Sequence, residues 1–232
     1  MGMRLAASLL LCGLSSLATI GAEGVDPNLM REVAAVREQM VRSNAALRDY
    51  TWVEHMDVLV SGSVKSSSVF VCAYNGSGEL TRAPVDKPDG NQGNAVSKRP
   101  RVRAKADLED YIRRSISQVR AYLPPKPEDI QYVLQSGLAS QGQSQSGSAE
   151  LRLTHYFQEG DSFVFTYDPV SKVLLRASIA SNLGSPKDPV ALEAVFETLP
   201  DGVNHLGSAT LNAKKRNVQV KLWNEMYQKL AN

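Results

Sequence analysis

Two stretches of the chain, Tyr50 to Arg82 and Ala149 to Met226, alternate apolar and polar side chains and are cut by turn signals at short intervals. A period of two sends successive side chains to opposite faces of a strand. Tyr50, Trp52, Met56, Val58 and Val60 share one face; Thr51, Val53, His55, Asp57 and Leu59 share the other. Ser61-Gly62-Ser63, Asn75-Gly76-Ser77-Gly78, Glu159-Gly160-Asp161, Asp168-Pro169 and Pro200-Asp201-Gly202 mark reversals. Strands joined by turns this short must be antiparallel. The pattern predicts about nine of them. Three come early: Tyr50 to Val60, Val64 to Tyr74, and a short one near Glu79 to Arg82. Six come late: Ala149 to Phe157, Ser162 to Tyr167, Lys172 to Ser181, Val190 to Leu199, His205 to Asn212, and Val218 to Met226.

A sheet with one apolar face needs a cover. Asp26-Pro27 suits a helix start, since the carboxylate caps free amides and proline fits the first turn. Leu29, Val33, Val36, Met40 and Leu47 then recur at helical spacing, with the helix ending near Asp49. A second helix is expected from about Ala106 to Tyr122, with Leu108, Tyr111, Ile112, Ser115, Ile116, Val119 and Tyr122 on its apolar side. Leu123-Pro124-Pro125 ends it, and a short helix follows from Pro127 across Ile130, Val133 and Leu134. Two segments lack periodicity. Pro84 to Arg103 reads as a mobile loop ending in Lys98, Arg99, Arg101 and Arg103, and 136–148 as a flexible Gly/Ser/Gln loop. The expectation is therefore an α+β fold: a strongly twisted antiparallel sheet forming an open half-barrel, with an N-terminal helix and two inserted helices.

The first 22 residues read as a cleavable secretory signal: Arg4, an apolar run from Leu5 to Leu17, then small residues before Glu23. The run is too short to span a membrane. Lipidation at Cys12 is disfavoured, because Leu11 precedes it and cleavage there would cut the apolar core. Residues 23–232 then form a single half-barrel-like domain outside the cytoplasm, most simply in a periplasm, with no integral span. A net charge of +2 over 232 residues argues against nucleic acid as partner. Cys72, among Val69, Phe70, Val71 and Tyr74, reads as a buried inert thiol.

Chemistry-bearing motifs are sparse. His55, His155 and His205 have no second metal ligand at close spacing, so no metal, cofactor or catalytic residue is assigned. Glu54 beside His55, and Asp161 near His155, are the nearest approach to an acid–base pair. The aromatics are more informative. Trp52, Tyr111, Tyr122, Phe163, Phe165, Phe196 and Trp223, together with Tyr227, would line an apolar cavity if the half-barrel is imperfectly filled, and would be its core if it is filled.

The order of leading helix, meander, inserted helices and long meander resembles the outer-membrane lipoprotein-sorting and lipoprotein-carrier group. Leu47-Arg48-Asp49-Tyr50-Thr51-Trp52-Val53-Glu54, Tyr74-Asn75-Gly76-Ser77-Gly78, Pro186-Lys187-Asp188-Pro189-Val190 and Phe196-Glu197-Thr198-Leu199-Pro200-Asp201-Gly202 are similar to segments of uncharacterised exported bacterial proteins. The resemblance implies an exported, non-enzymatic binding module that holds a lipid or acyl chain, or escorts a lipidated protein, between sheet and helices. It offers no short motif from which ligand residues carry over. The alternative is a structural or interaction protein of the cell envelope with a filled core and no small ligand. Either reading leaves the oligomeric state open.

Overall fold

The computed structural model describes residues 26–85, 99–143 and 147–230. The expected export segment and the middle of the expected basic loop, 86–98, lie outside the described residues. Helix α1 runs Pro27–Ala46, capped by the Asp26 carboxylate, which accepts from the Asn28 amide at 2.9 Å. A 3-10 turn, Leu47–Asp49, leads into β1 (Tyr50–Val60), β2 (Ser63–Tyr74) and β3 (Leu80–Pro84). Helices α2 (Arg99–Tyr122) and α3 (Pro127–Gln135) follow. The remaining strands are β4 (Ala139–Gln143), β5 (Ala149–Thr154), β6 (Ser162–Tyr167), β7 (Leu174–Asn182), β8 (Pro189–Thr198), β9 (Asn204–Ala213) and β10 (Val218–Lys229).

All ten strands form one antiparallel sheet in the order β3-β2-β1-β10-β9-β8-β7-β6-β5-β4. It is an open half-barrel, because β3 and β4 are left as edges. The seam is the pairing of β1 with β10, where Tyr50 faces Lys229 and Val60 faces Val218. Since β3 and β4 are consecutive in the chain but lie at opposite edges, the segment between them must cross the whole sheet. That segment carries α2 and α3. The crossing explains why Tyr111, Val119, Tyr122, Ile130 and Val133 join Leu29, Val33, Val36 and Met40 of α1 in one core with the inner rows of the strands.

Two expectations from sequence need correction. Helix α2 begins at Arg99, not near Ala106, with Pro100 in its first turn, where a missing amide is harmless. Part of the segment 136–148 is strand β4, which makes ten strands rather than nine. Ala139 to Gln143 pair with Leu153 to Ala149, so backbone hydrogen bonds, not apolar side chains, hold this polar edge.

Buried carboxylates fasten α2 to the sheet. Asp161 accepts from the amides of Tyr156, Phe157 and Gln158 at 2.6, 2.9 and 3.0 Å, and from the Tyr122 hydroxyl at 2.6 Å. Asp188 accepts from the Tyr111 hydroxyl at 2.7 Å. Both carboxylates are buried. Burial, and then these acceptors, push both tyrosine hydroxyls well above the ordinary phenol range.

Candidate binding pocket

The pocket lies where the C-terminal end of α1 and the Leu123-Pro124-Pro125 turn face the seam strands. One wall is a row of rings. Tyr74 of β2 lies 5.9 Å from Trp52 of β1, Trp52 stacks on Tyr227 of β10 at 5.5 Å, and Tyr227 packs against His205 of β9 at 4.1 Å. Tyr227 owes its place to a bulge. The register shifts between Thr51 and Val53, and Met226 takes a left-handed φ of 56°. The extra residue on β10 turns Tyr227 onto the same face as Trp52. Met40, Phe196, Leu206 and Leu222 are among the apolar side chains that complete the lining.

Polar groups interrupt this lining. Glu54 is buried on the inner row of β1, and both of its oxygens accept from Arg82 Nε of β3, at 3.0 and 3.1 Å. A buried carboxylate needs such a partner. Cys72, fully buried on β2, has its thiol pushed up to about 11, first by burial and then by the Glu54 carboxylate. It is a protonated, inert thiol at neutral pH. Burial likewise holds the His205 imidazole below its ordinary range. Asn224 of β10 donates to the Leu206 carbonyl at 2.9 Å. Two buried polar atoms here have no partner among the described residues: Trp52 Nε1 and Asn224 Oδ1.

The inner space measures about 50 Å³. It adjoins an open vestibule of about 400 Å³ that shares Tyr74, Leu80, Arg82, Arg120 and the proline turn with it and adds Arg48, Lys126 and Glu128. Arg48, Arg120 and Lys126 form no ion pair among the described residues. Against these three cations the vestibule sets one further carboxylate, Glu128, so its charge is net positive above an apolar floor.

Of the aromatics singled out from sequence, Trp52 and Phe196 line this pocket, and Tyr227 joins them. Tyr111, Tyr122, Phe163 and Phe165 do not line it; they are core side chains, 0–2% exposed. Tyr122 meets Phe163 edge-on at 5.9 Å, and Phe163 lies 4.1 Å from Phe165, so no space remains between them. Trp223 is on the opposite face of the sheet, stacked on His55 at 4.8 Å, because the inward Leu222 sends its neighbour outward. The histidines are dispersed. His55 bonds Glu225 at 2.9 Å on that outer face, while its neighbour Glu54 points inward to Arg82. Exposed His155 accepts from the Gly160 amide, and Asp161 is fully occupied by its own donors. Among the described residues no three His, Cys, Asp or Glu side chains group to hold a metal ion. Sequence reasoning missed Glu54 and Asn224 as pocket groups. The signal was there, since each is a polar residue set in an otherwise apolar inward row.

Among the described residues no helix is long and apolar enough to cross a membrane. No family model matches the chain. No curated protein matches it either. Among solved structures it is similar to a DUF1329 family protein from Desulfovibrio piger, at 14% identity and a TM-score of 0.43 over 85% of this chain and 93% of that one. It is also similar to a LolA superfamily protein from Nitrosomonas europaea, at 10% identity and a TM-score of 0.41 over 85% and 94% of the two chains. Both are likenesses of fold, at low identity.

Proposed function

We propose that the protein is an exported binding module for an amphiphile, a lipid or the acyl chain of a lipidated protein, and that it works without catalysis. The observation that supports this most is the pairing of two environments in one recess. An aromatic-walled apolar pocket opens onto a vestibule whose Arg48, Arg120 and Lys126 have no carboxylate partners. The tail takes the apolar end, and an anionic head takes the cations. The inner 50 Å³ has room for only a few water-sized groups, so a chain enters by displacing the Leu123-Pro125 turn from the ring wall.

Titration with a polyene fatty acid whose fluorescence rises in apolar surroundings tests this. Saturable binding is expected, weakening as salt rises. Replacing Arg48, Arg120 and Lys126 by glutamine should lower the affinity about tenfold and flatten the salt dependence. Absence of saturable binding up to the solubility limit of the probe would exclude this function. A second reading, a structural envelope protein with a filled core, draws on the solid packing of Tyr111, Tyr122, Phe163 and Phe165. That reading expects no binding and no effect of the three substitutions on any ligand.

A further inference from the structure

We propose that the inner end of the pocket reads an uncharged polar group that both donates and accepts a hydrogen bond, a secondary amide or a hydroxyl, carried on an apolar chain. This rests on the amphiphile reading and specifies its ligand. Trp52 Nε1 is a donor and cannot accept. Its side chain is 6% exposed, and the nitrogen has no partner among the described residues. Asn224 Oδ1 is an acceptor in the same pocket and is also unpartnered. The Asn224 amide cannot simply be turned over, because its Nδ2 already donates to the Leu206 carbonyl at 2.9 Å.

Three other polar groups of the wall are committed elsewhere. Glu54 is held by Arg82, the Asn204 amide donates to the carbonyls of Leu174 and Glu197, and the Tyr227 hydroxyl donates to the Leu206 carbonyl. Among the described residues, the buried polar atoms that the pocket leaves without a partner are one donor and one acceptor. Buried polar groups without partners are costly, so the ligand that supplies both is favoured over one that supplies either. A carboxylate would satisfy Trp52 but bring negative charge toward Asn224 Oδ1 and Glu54. An ammonium would satisfy Asn224 and leave Trp52 dry. An ester accepts but cannot donate.

Three carboxylates with the same chain, whose heads stay with the vestibule cations, differ only at the far end that reaches the inner pocket: 12-acetamidododecanoate, 12-hydroxydodecanoate and monomethyl dodecanedioate. Each is measured by displacement of the polyene fatty acid from the whole protein. The amide or the alcohol should displace the probe at about tenfold lower concentration than the ester. A preference for the amide assigns an amide ligand; a preference for the alcohol assigns a hydroxyl. Asn224→Leu should erase the advantage over the ester, whereas Trp52→Phe should weaken all three ligands and leave the advantage in place. Thermal unfolding of each variant checks its fold. Equal displacement by all three on the wild type would overturn the proposal, as would selectivity that survives Asn224→Leu, or a folded Trp52→Phe variant that binds all three as the wild type does. Failure of all three where the fatty acid still binds overturns it too. Failure of the fatty acid itself removes the amphiphile reading beneath it.

Discussion

Single side chains set the tightest constraints on this molecule. Asp161 gathers three backbone amides and a tyrosine hydroxyl, and an asparagine there has one oxygen where the carboxylate has two. Asp161→Asn should therefore cost about 3 kcal/mol or more, and Tyr122→Phe about half of that, read as shifts of the urea midpoint at constant slope. His205 gives the chain a pH dependence. Burial lowers its folded pKa below the ordinary 6.5. Above that value the ring is neutral folded and unfolded, and its contribution is complete. As the pH falls toward the folded value the unfolded chain takes the proton first, and stability is lost. Urea midpoints measured from about pH 7.5 to about pH 5 should fall toward acid, and His205→Phe should reduce that slope. An equal slope in the variant would assign the loss to other groups. None of these roles was visible in sequence. Asp161 stands in a turn beside His155, where proximity along the chain suggested an acid–base pair, but the turn folds the carboxylate inward and leaves His155 outside.

At the scale of elements, alternation did most of the work. Every strand with an apolar row was legible within a few residues, because a half-buried surface writes its period into the side chains. Strand β4 was not, because Ser140, Gln141 and Gly142 have no apolar row and are ordered by pairing with β5. The start of α2 was obscured by arginines and lysines that carry no apolar stripe. The pocket was half legible for a related reason. Trp52 and Phe196 follow the period, whereas Tyr227 breaks it through a bulge built on methionine, without the glycine that usually announces one. Met226 is 67% exposed, so its substitutions report backbone conformation with little packing. Met226→Gly should be neutral to stabilising by up to about 1 kcal/mol, and Met226→Val should cost about 1–2 kcal/mol, since a branched Cβ resists the left-handed region. Deleting Met226 should remove the bulge and leave an unbroken alternation through Leu222, Asn224 and Tyr227, so the ring should keep its inward face and its stacking on Trp52, seen as an unchanged near-ultraviolet dichroism of the tryptophan. Loss of that signal would show that the ring needs the bulge geometry itself.

In the whole molecule, two locally connected pieces meet at one long-range seam. Strands β1 to β3 form one meander and β4 to β10 another, and within the sheet they touch only where β1 pairs with β10. Loss of β10 leaves a three-stranded piece and a six-stranded piece with no ladder between them. A chain ending at Asn217 should accordingly lose its single cooperative urea transition, with dichroism and fluorescence no longer changing together. Coincident transitions in that chain would mean that the helices alone unite the two pieces. The seam also has a consequence in time. A chain emerges from the ribosome, or threads through a membrane pore, from its first residue onward. Strand β1 is among the first elements to appear and β10 the last strand of the sheet, so β1 must wait, half its hydrogen bonds unmade, until nearly everything else has arrived. Closing so large a loop is slow. Through that interval the waiting edge is open to any other strand in reach, and the early hairpin is the part of this protein most in need of a chaperone.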